Sequence, residues 1–161
     1  VRYFITFVCY GAHLHGEEGA VDPRHNLPGT PYMEVFRQRV EAERQYMDQA
    51  PYLLDAQRRT VVLEAIREVC LHRRWTLLAA HIRSTHVHVI VEGEDRPEKI
   101  MNAFKSYSSR SLNRIESHRK HWARHGSTRW LWKDKDVRRA IQYVVEEQGE
   151  AMAVFFVEGC V

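Results

Sequence analysis

The chain alternates short β-prone runs with longer segments whose apolar residues recur every three or four positions. Arg2 to Cys9 (RYFITFVC) is dense in aromatic and β-branched residues and stops at Tyr10-Gly11, which predicts a first strand. Residues 10 to 31 are rich in Gly and Pro without a sustained period and read as a long loop. The polar amphipathic segment Tyr32 to Met47 predicts a helix before Pro51 interrupts. Asp55 is suited to cap a helix through His72, with Val61, Val62, Ala65, Ile66 and Val69 at helical spacing. Trp75 to Ile82 and His86 to Glu92 are β-prone and separated only by Arg83-Ser84-Thr85, which predicts an antiparallel hairpin. Pro97 fits the first turn of another helix, with Ile100, Phe104 and Leu112 apolar and an end near Ser117. A basic, His-rich connector leads to the run Trp130-Leu131-Trp132, and Asp134 or Asp136 can cap a last helix reaching Gly149. The order β-α-β-β-α-β plus a helix is the α+β, ferredoxin-like (RRM-like) arrangement: an antiparallel sheet with two helices on one face and the other face available.

Length and composition narrow the class. At 161 residues, 44% hydrophobic and 28% charged, the chain is expected to form one globular domain, residues 1 to 161, and the disordered and fibrous classes are excluded. Its longest apolar run, Ala151 to Val157, falls far short of the roughly 20 residues that span a bilayer. No export-like succession opens the sequence, so a cytoplasmic protein without a membrane partner is expected. Cys9, Cys70 and Cys160 are odd in number and form no CxxC pair, which fits unpaired thiols. The net charge of +3 is unevenly placed: Lys105 to Arg139 holds 11 Lys and Arg against Glu116, Asp134 and Asp136. Tyr107, Trp122, Trp130 and Trp132 are interleaved with those bases, a mixture that suits a phosphate backbone with unstacked bases and equally a solvated helix face. Candidate contacts are Lys105, Arg110, Arg114, Arg129, Arg138, Trp130 and Trp132.

The hairpin's second strand contains His86-Val87-His88. Alternation sends both imidazoles to one face, about 6 to 7 Å apart, and Val87, Val89 and Val91 to the other. Two such rings can converge on one divalent ion, or simply occupy a polar strand face. His13-Leu14-His15 repeats the pattern in a Gly-rich loop with no strand to align it. In the last helix Val137, Ala140, Ile141, Val144 and Val145 share an apolar stripe, and Tyr143 lies about 130° from its centre. Glu147 follows one turn later on nearly the same flank. Gln148 would point nearer the stripe unless the helix end expected at Gly149 re-aims it.

Together these features resemble the single-tyrosine HUH transposases, most closely the REP-associated tyrosine (IS200-like) branch. The resemblance spans the opening YFITFVCYGAHLHGEEG, the THVHVIV block at 85 to 91, the helix PEKIMNAFKSYSSRSLNR, the segment GSTRWLWKD and the ending AIQYVVEEQGE. It implies that His86 and His88 hold a divalent metal, Mg²⁺ or Mn²⁺, and that Tyr143 is the nucleophile. Related transposases commonly place Gln or Asn four residues after the tyrosine as a third ligand. Here that position is Glu147, which helix geometry favours, with Gln148 as the second candidate. Tyr107 is a competing nucleophile with no acid or amide beside it. The implied activity is nicking and strand transfer on single-stranded or hairpin DNA through a 5′-phosphotyrosine, and a homodimer sharing its active site is one assembly the resemblance allows. Two other classes remain open: a non-catalytic RRM-like nucleic-acid-binding module, and a metal hydrolase in which water attacks.

Overall fold

A computed structural model of the chain describes residues 1–12 and 49–159. The expected helix over residues 32 to 47, the His13-Leu14-His15 pair, most of the Gly/Pro-rich loop and Cys160 lie outside the described residues. The elements are β1 (Arg2–Val8), α1 (Ala56–Arg73), β2 (Thr76–Ile82), β3 (His86–Glu92), α2 (Pro97–Leu112), β4 (Ser127–Leu131), α3 (Asp134–Glu146) and β5 (Ala153–Phe156).

All five strands join one antiparallel sheet in the order β4-β1-β3-β2-β5, the ferredoxin-like order with β5 added at one edge. Period-two alternation divides the sheet's side chains between two cores. Tyr3, Ile5 and Phe7 of β1 and Val87, Val89 and Val91 of β3 are buried with Val62, Ile66 and Val69 of α1 and Ile100, Phe104 and Leu112 of α2. On the opposite face Ala79, Ile90 and Leu131 pack against Val137, Ala140, Ile141 and Val144 of α3. That face is therefore only partly open, because the last helix lies across it.

Local chemistry sets the element ends. The Asp55 carboxylate accepts the Arg58 backbone N–H at 2.8 Å and caps α1, and Pro97 occupies the first turn of α2. The N-cap of α3 is Lys133 rather than an aspartate; Asp134 and Asp136 fall in its first turn, and Asp134 accepts from Arg2 at 2.6 Å. A β-bulge at Leu78 shifts the register of β2: Leu77 and Ala80 both face the α1/α2 core, while Ala79 and His81 face α3. β4 begins three residues earlier than the tryptophan-rich run suggested, through the polar Ser127-Thr128-Arg129. Glu116 binds the connector after α2 to the segment before α1, accepting from the Tyr52 hydroxyl and from Arg58 at 2.7 Å. Cys9 and Cys70 are buried free thiols, and burial pushes both up to about 12. Among the described residues no helix is long and apolar enough to cross a membrane.

Gly126 enters β4 where the backbone of β1 and a core side chain come close. A Cβ there would lie 2.6 Å from the Thr6 carbonyl oxygen and 2.6 Å from Met101 Sδ. Gly126→Ala is expected to destabilise the fold by roughly 1–3 kcal/mol, as overpacking does. A urea-unfolding midpoint that does not fall would contradict this close approach.

Candidate active site

The open part of the α3-covered face carries the histidines. β3 pairs Thr6 with His88 and Val8 with His86 in β1, and His81 with His88 in β2. The rings of His86 and His88 stack 6.0 Å apart between centroids at an interplanar angle of 20°. A threonine hydroxyl lies against each Nδ1: Thr85 Oγ1 at 2.7 Å from His86 and Thr6 Oγ1 at 3.0 Å from His88. Where the hydroxyl accepts from Nδ1–H, Nε2 keeps its lone pair, the form a metal ligand requires. His88 is only 8% exposed. Burial first, then the charges of His86, His81 and Arg83, push its pKa down to about 4, so the ring is neutral at physiological pH.

Tyr143 stands beside this pair. It belongs to the flank of α3 away from Val137, Ala140, Ile141 and Val144, which anchor the helix. Its ring is 43% exposed, 6.5 Å from the His88 ring and 6.1 Å from that of Phe4, edge-on to both. The helix end is tied down by two residues of the β2 end. His81, fully buried, donates Nδ1–H to the Val144 carbonyl at 2.9 Å and accepts the Met152 N–H on Nε2 at 3.1 Å. Both ring nitrogens are thereby used in the neutral form, and burial lowers the His81 pKa accordingly. Arg83 donates to the Glu150 carbonyl at 3.1 Å. Neither residue stood out in the sequence, since His81 reaches this face only through the bulge.

The two candidates for a third ligand, Glu147 and Gln148, have different surroundings. Glu147 ends α3 as its C-cap and lines a cavity of about 510 Å³ between β1, β4 and α3 whose lining includes neither His86 nor His88. Among the described residues no three His, Cys, Asp or Glu side chains are grouped closely enough to hold a metal ion. Gln148, beyond the helix end, donates Nε2–H to the Tyr143 carbonyl at 3.5 Å, which leaves its amide oxygen uncommitted. Helix periodicity aimed Glu147 to the flank of Tyr143, but as the C-cap it has left regular helix geometry, with φ -108° and ψ 17°.

The basic stretch does not form one surface. Lys105 donates to the carbonyls of Ala123 and His125 at 3.1 and 2.7 Å and so holds the connector. Arg110, stacked over Tyr107, and Arg114 belong to the α2 layer on the far side of the sheet from the histidines. Trp130 and Trp132 stack on each other 5.0 Å apart, with Trp130 against Tyr3 on that same far face. Arg138 is on α3 near Asp134, away from the flank of Tyr143. Arg129 joins the site face, its guanidinium 5.5 Å over the Phe4 ring, and Trp130 also lines the cavity beside α3. Tyr107 packs against the α1/α2 core, remote from the histidines.

The architecture of the sheet and its helices is shared with known proteins. The family model described as "Transposase IS200 like" matches residues 49–154, and the chain belongs to that family. Among solved structures, a REP-associated tyrosine transposase bound to a REP hairpin superposes with a TM-score of 0.51 at 14% identity. The match covers 91% of this chain, and this chain spans 65% of that one. A protein of Deinococcus radiodurans R1 assigned as a transposase gives a TM-score of 0.48 at 14% identity, covering 94% of this chain and 92% of its own. No curated protein sequence matches the chain.

In metal-free protein the imidazole of His88 should titrate near pH 4, well below an ordinary histidine. Ring-proton NMR from about pH 8 down to about pH 2.5, on both sides of that midpoint, measures this directly. A midpoint near 6.5 would show that the ring is solvated and contradict its burial.

Proposed function

We propose that this chain is a transposase-family enzyme that nicks and rejoins single-stranded or hairpin-forming DNA through a covalent link to Tyr143. The observation that carries the reading is the 6.5 Å between the rings of Tyr143 and His88 in one chain, beside the stacked His86. A half-exposed phenol beside a stacked pair of imidazoles suits attack on a phosphodiester better than a purely structural role. The DNA-bound REP-associated neighbour supports a DNA hairpin as the substrate class.

The residues divide the work. The Tyr143 oxygen attacks phosphorus, its proton departs, the P–O3′ bond breaks and the leaving 3′ oxygen takes up a proton. A 5′-phosphotyrosine and a free 3′-hydroxyl result, and attack by another 3′-hydroxyl reverses the chemistry onto a new strand. A divalent ion, Mg²⁺ or Mn²⁺, supplies charge neutralisation at the non-bridging oxygens when bound. His86 and His88 would hold it through their ring nitrogens, with Thr85 and Thr6 orienting the rings and the Gln148 amide oxygen as the third protein group. Phe4 steadies the tyrosine ring, while His81 and Arg83 hold the helix end that carries it.

Labelled hairpin DNA with Mn²⁺ should yield a denaturation-resistant protein adduct. Tyr143→Phe should lose both cleavage and adduct while still binding DNA, His86→Ala and His88→Ala should lose cleavage, and Tyr107→Phe should keep the adduct. An adduct formed by Tyr143→Phe would overturn the nucleophile assignment; cutting that never yields an adduct would indicate attack by water.

Affinity should come from the site face. Arg129→Gln is expected to weaken binding and reduce the salt slope by roughly one unit. The double change Arg110→Gln with Arg114→Gln should leave both nearly unchanged. Anisotropy across a salt series measures this, and the reverse ranking would place the DNA on the α2 layer.

A further inference from the structure

The pairing of β2 with β3 continues past the strand ends. The Arg83 N–H donates to the His86 carbonyl at 2.8 Å, which sets these two residues directly opposite each other. Alternation from His81, through Ile82 in the α1/α2 core, returns Arg83 to the face of the histidines. Side chains opposed in this way have Cβ atoms about 4.5–5.5 Å apart. The face therefore carries two rows, His81 beside His88 and Arg83 beside His86. Tyr143 stands next to the first row, its ring 6.5 Å from that of His88.

Arg83 is half-buried and spends Nη1 on the Glu150 carbonyl at 3.1 Å. Among the described residues, Nε and Nη2 have no hydrogen-bond partner and no acid pairs with the guanidinium. Tethering one carbonyl takes a single neutral donor; a permanent charge with donors to spare exceeds that need. The surplus lies in a field of one sign. The groups that act electrostatically on His88 are His86, His81 and Arg83, and none is an acid. A site meant for a cation alone would not place a guanidinium across from its ligands, because like charges repel. An anion suits this grouping, and a guanidinium takes two phosphate oxygens in parallel.

We infer that Arg83 is a catalytic residue that grips the non-bridging oxygens of the phosphate attacked by Tyr143. The inference rests on the strand-cleavage reading and adds to it a protein cation at the reacting phosphate. As the bond from the Tyr143 oxygen to phosphorus forms and the P–O3′ bond breaks, negative charge gathers on those oxygens, where a fixed guanidinium stabilises it most. Arg83 passes no proton and stays charged throughout. Its bond to Glu150 aims the guanidinium, so the tether and the grip are two uses of one group.

Two measurements on the full chain test this. In metal-free protein at neutral pH, inorganic phosphate exchanged for chloride at constant ionic strength should shift the ring-proton NMR signals of His86 and His88 saturably, with the exposed His118 as reference. Arg83→Gln, with intact circular dichroism, should abolish that response, and Arg83→Lys should retain part of it. With labelled hairpin DNA and Mn²⁺, Arg83→Gln should slow formation of the Tyr143 adduct roughly 100-fold, far more than it weakens binding, with Arg83→Lys between. Gln and Lys can each donate to the Glu150 carbonyl, so a tether alone predicts that the two variants behave alike. Equal behaviour, or no phosphate response in the unaltered chain, overturns the inference. An adduct formed by Arg83→Gln at the unaltered rate also overturns it and leaves the cleavage reading standing. A phosphate response that depends on Arg83, in a chain that never forms an adduct, keeps the anion site and removes the cleavage reading with its catalytic step.

Discussion

Along β3 the side chains divide strictly. Val87, Val89 and Val91 are buried beneath α1 and α2, while His86, His88 and Ile90 stand on the opposite face. Ile90 supports α3, and α3 carries Tyr143, so one strand fixes both the histidines and the height of the helix above them. A register slip of a single residue would send the imidazoles into the α1/α2 core and the valines under the tyrosine. Every other contact of the site refines that placement. Thr6 orients His88, Phe4 supports Tyr143, and His81 with Arg83 anchors the chain just after the tyrosine.

The two cores serve different ends. The larger, between sheet and α1/α2, is aromatic and branched and supplies cohesion. The smaller, beneath α3, is built from Ala79, Ile90, Leu131 and the helix's own Val and Ala residues. Small and branched side chains let α3 lie close to the sheet. The tyrosine ring thereby stays 6.5 Å from that of His88 without itself being buried.

Much of this was legible in the chain. Asp55 and Pro97 marked two helix starts, the three-residue gap at 83 to 85 demanded a hairpin, and periods of two and 3.6 set His86 and His88 on one face and Tyr143 off the apolar stripe. What escaped depended on non-local geometry. β5 lies within the apolar run Ala151 to Val157, but that it pairs with the free side of β2 is a long-range fact which the run itself does not record. Glu147, one turn after Tyr143, is the C-cap of α3 with non-helical backbone angles and lines the cavity, a departure from regular helix geometry that spacing alone does not record. The basic stretch looked like one surface because its residues are neighbours in sequence; a helix and a strand in different layers divide them.

The bulge at Leu78 works as a phase shifter within a single strand. Up to Leu77, β2 is keyed to the helical layer; beyond it, Ala80 and Ile82 keep that duty while Ala79 and His81 become parts of the site. A regular strand would have put His81 among the valines, where neither Val144 nor Met152 could meet its nitrogens. The extra residue frees the two ends of β2 to vary under different pressures, one toward packing and the other toward chemistry.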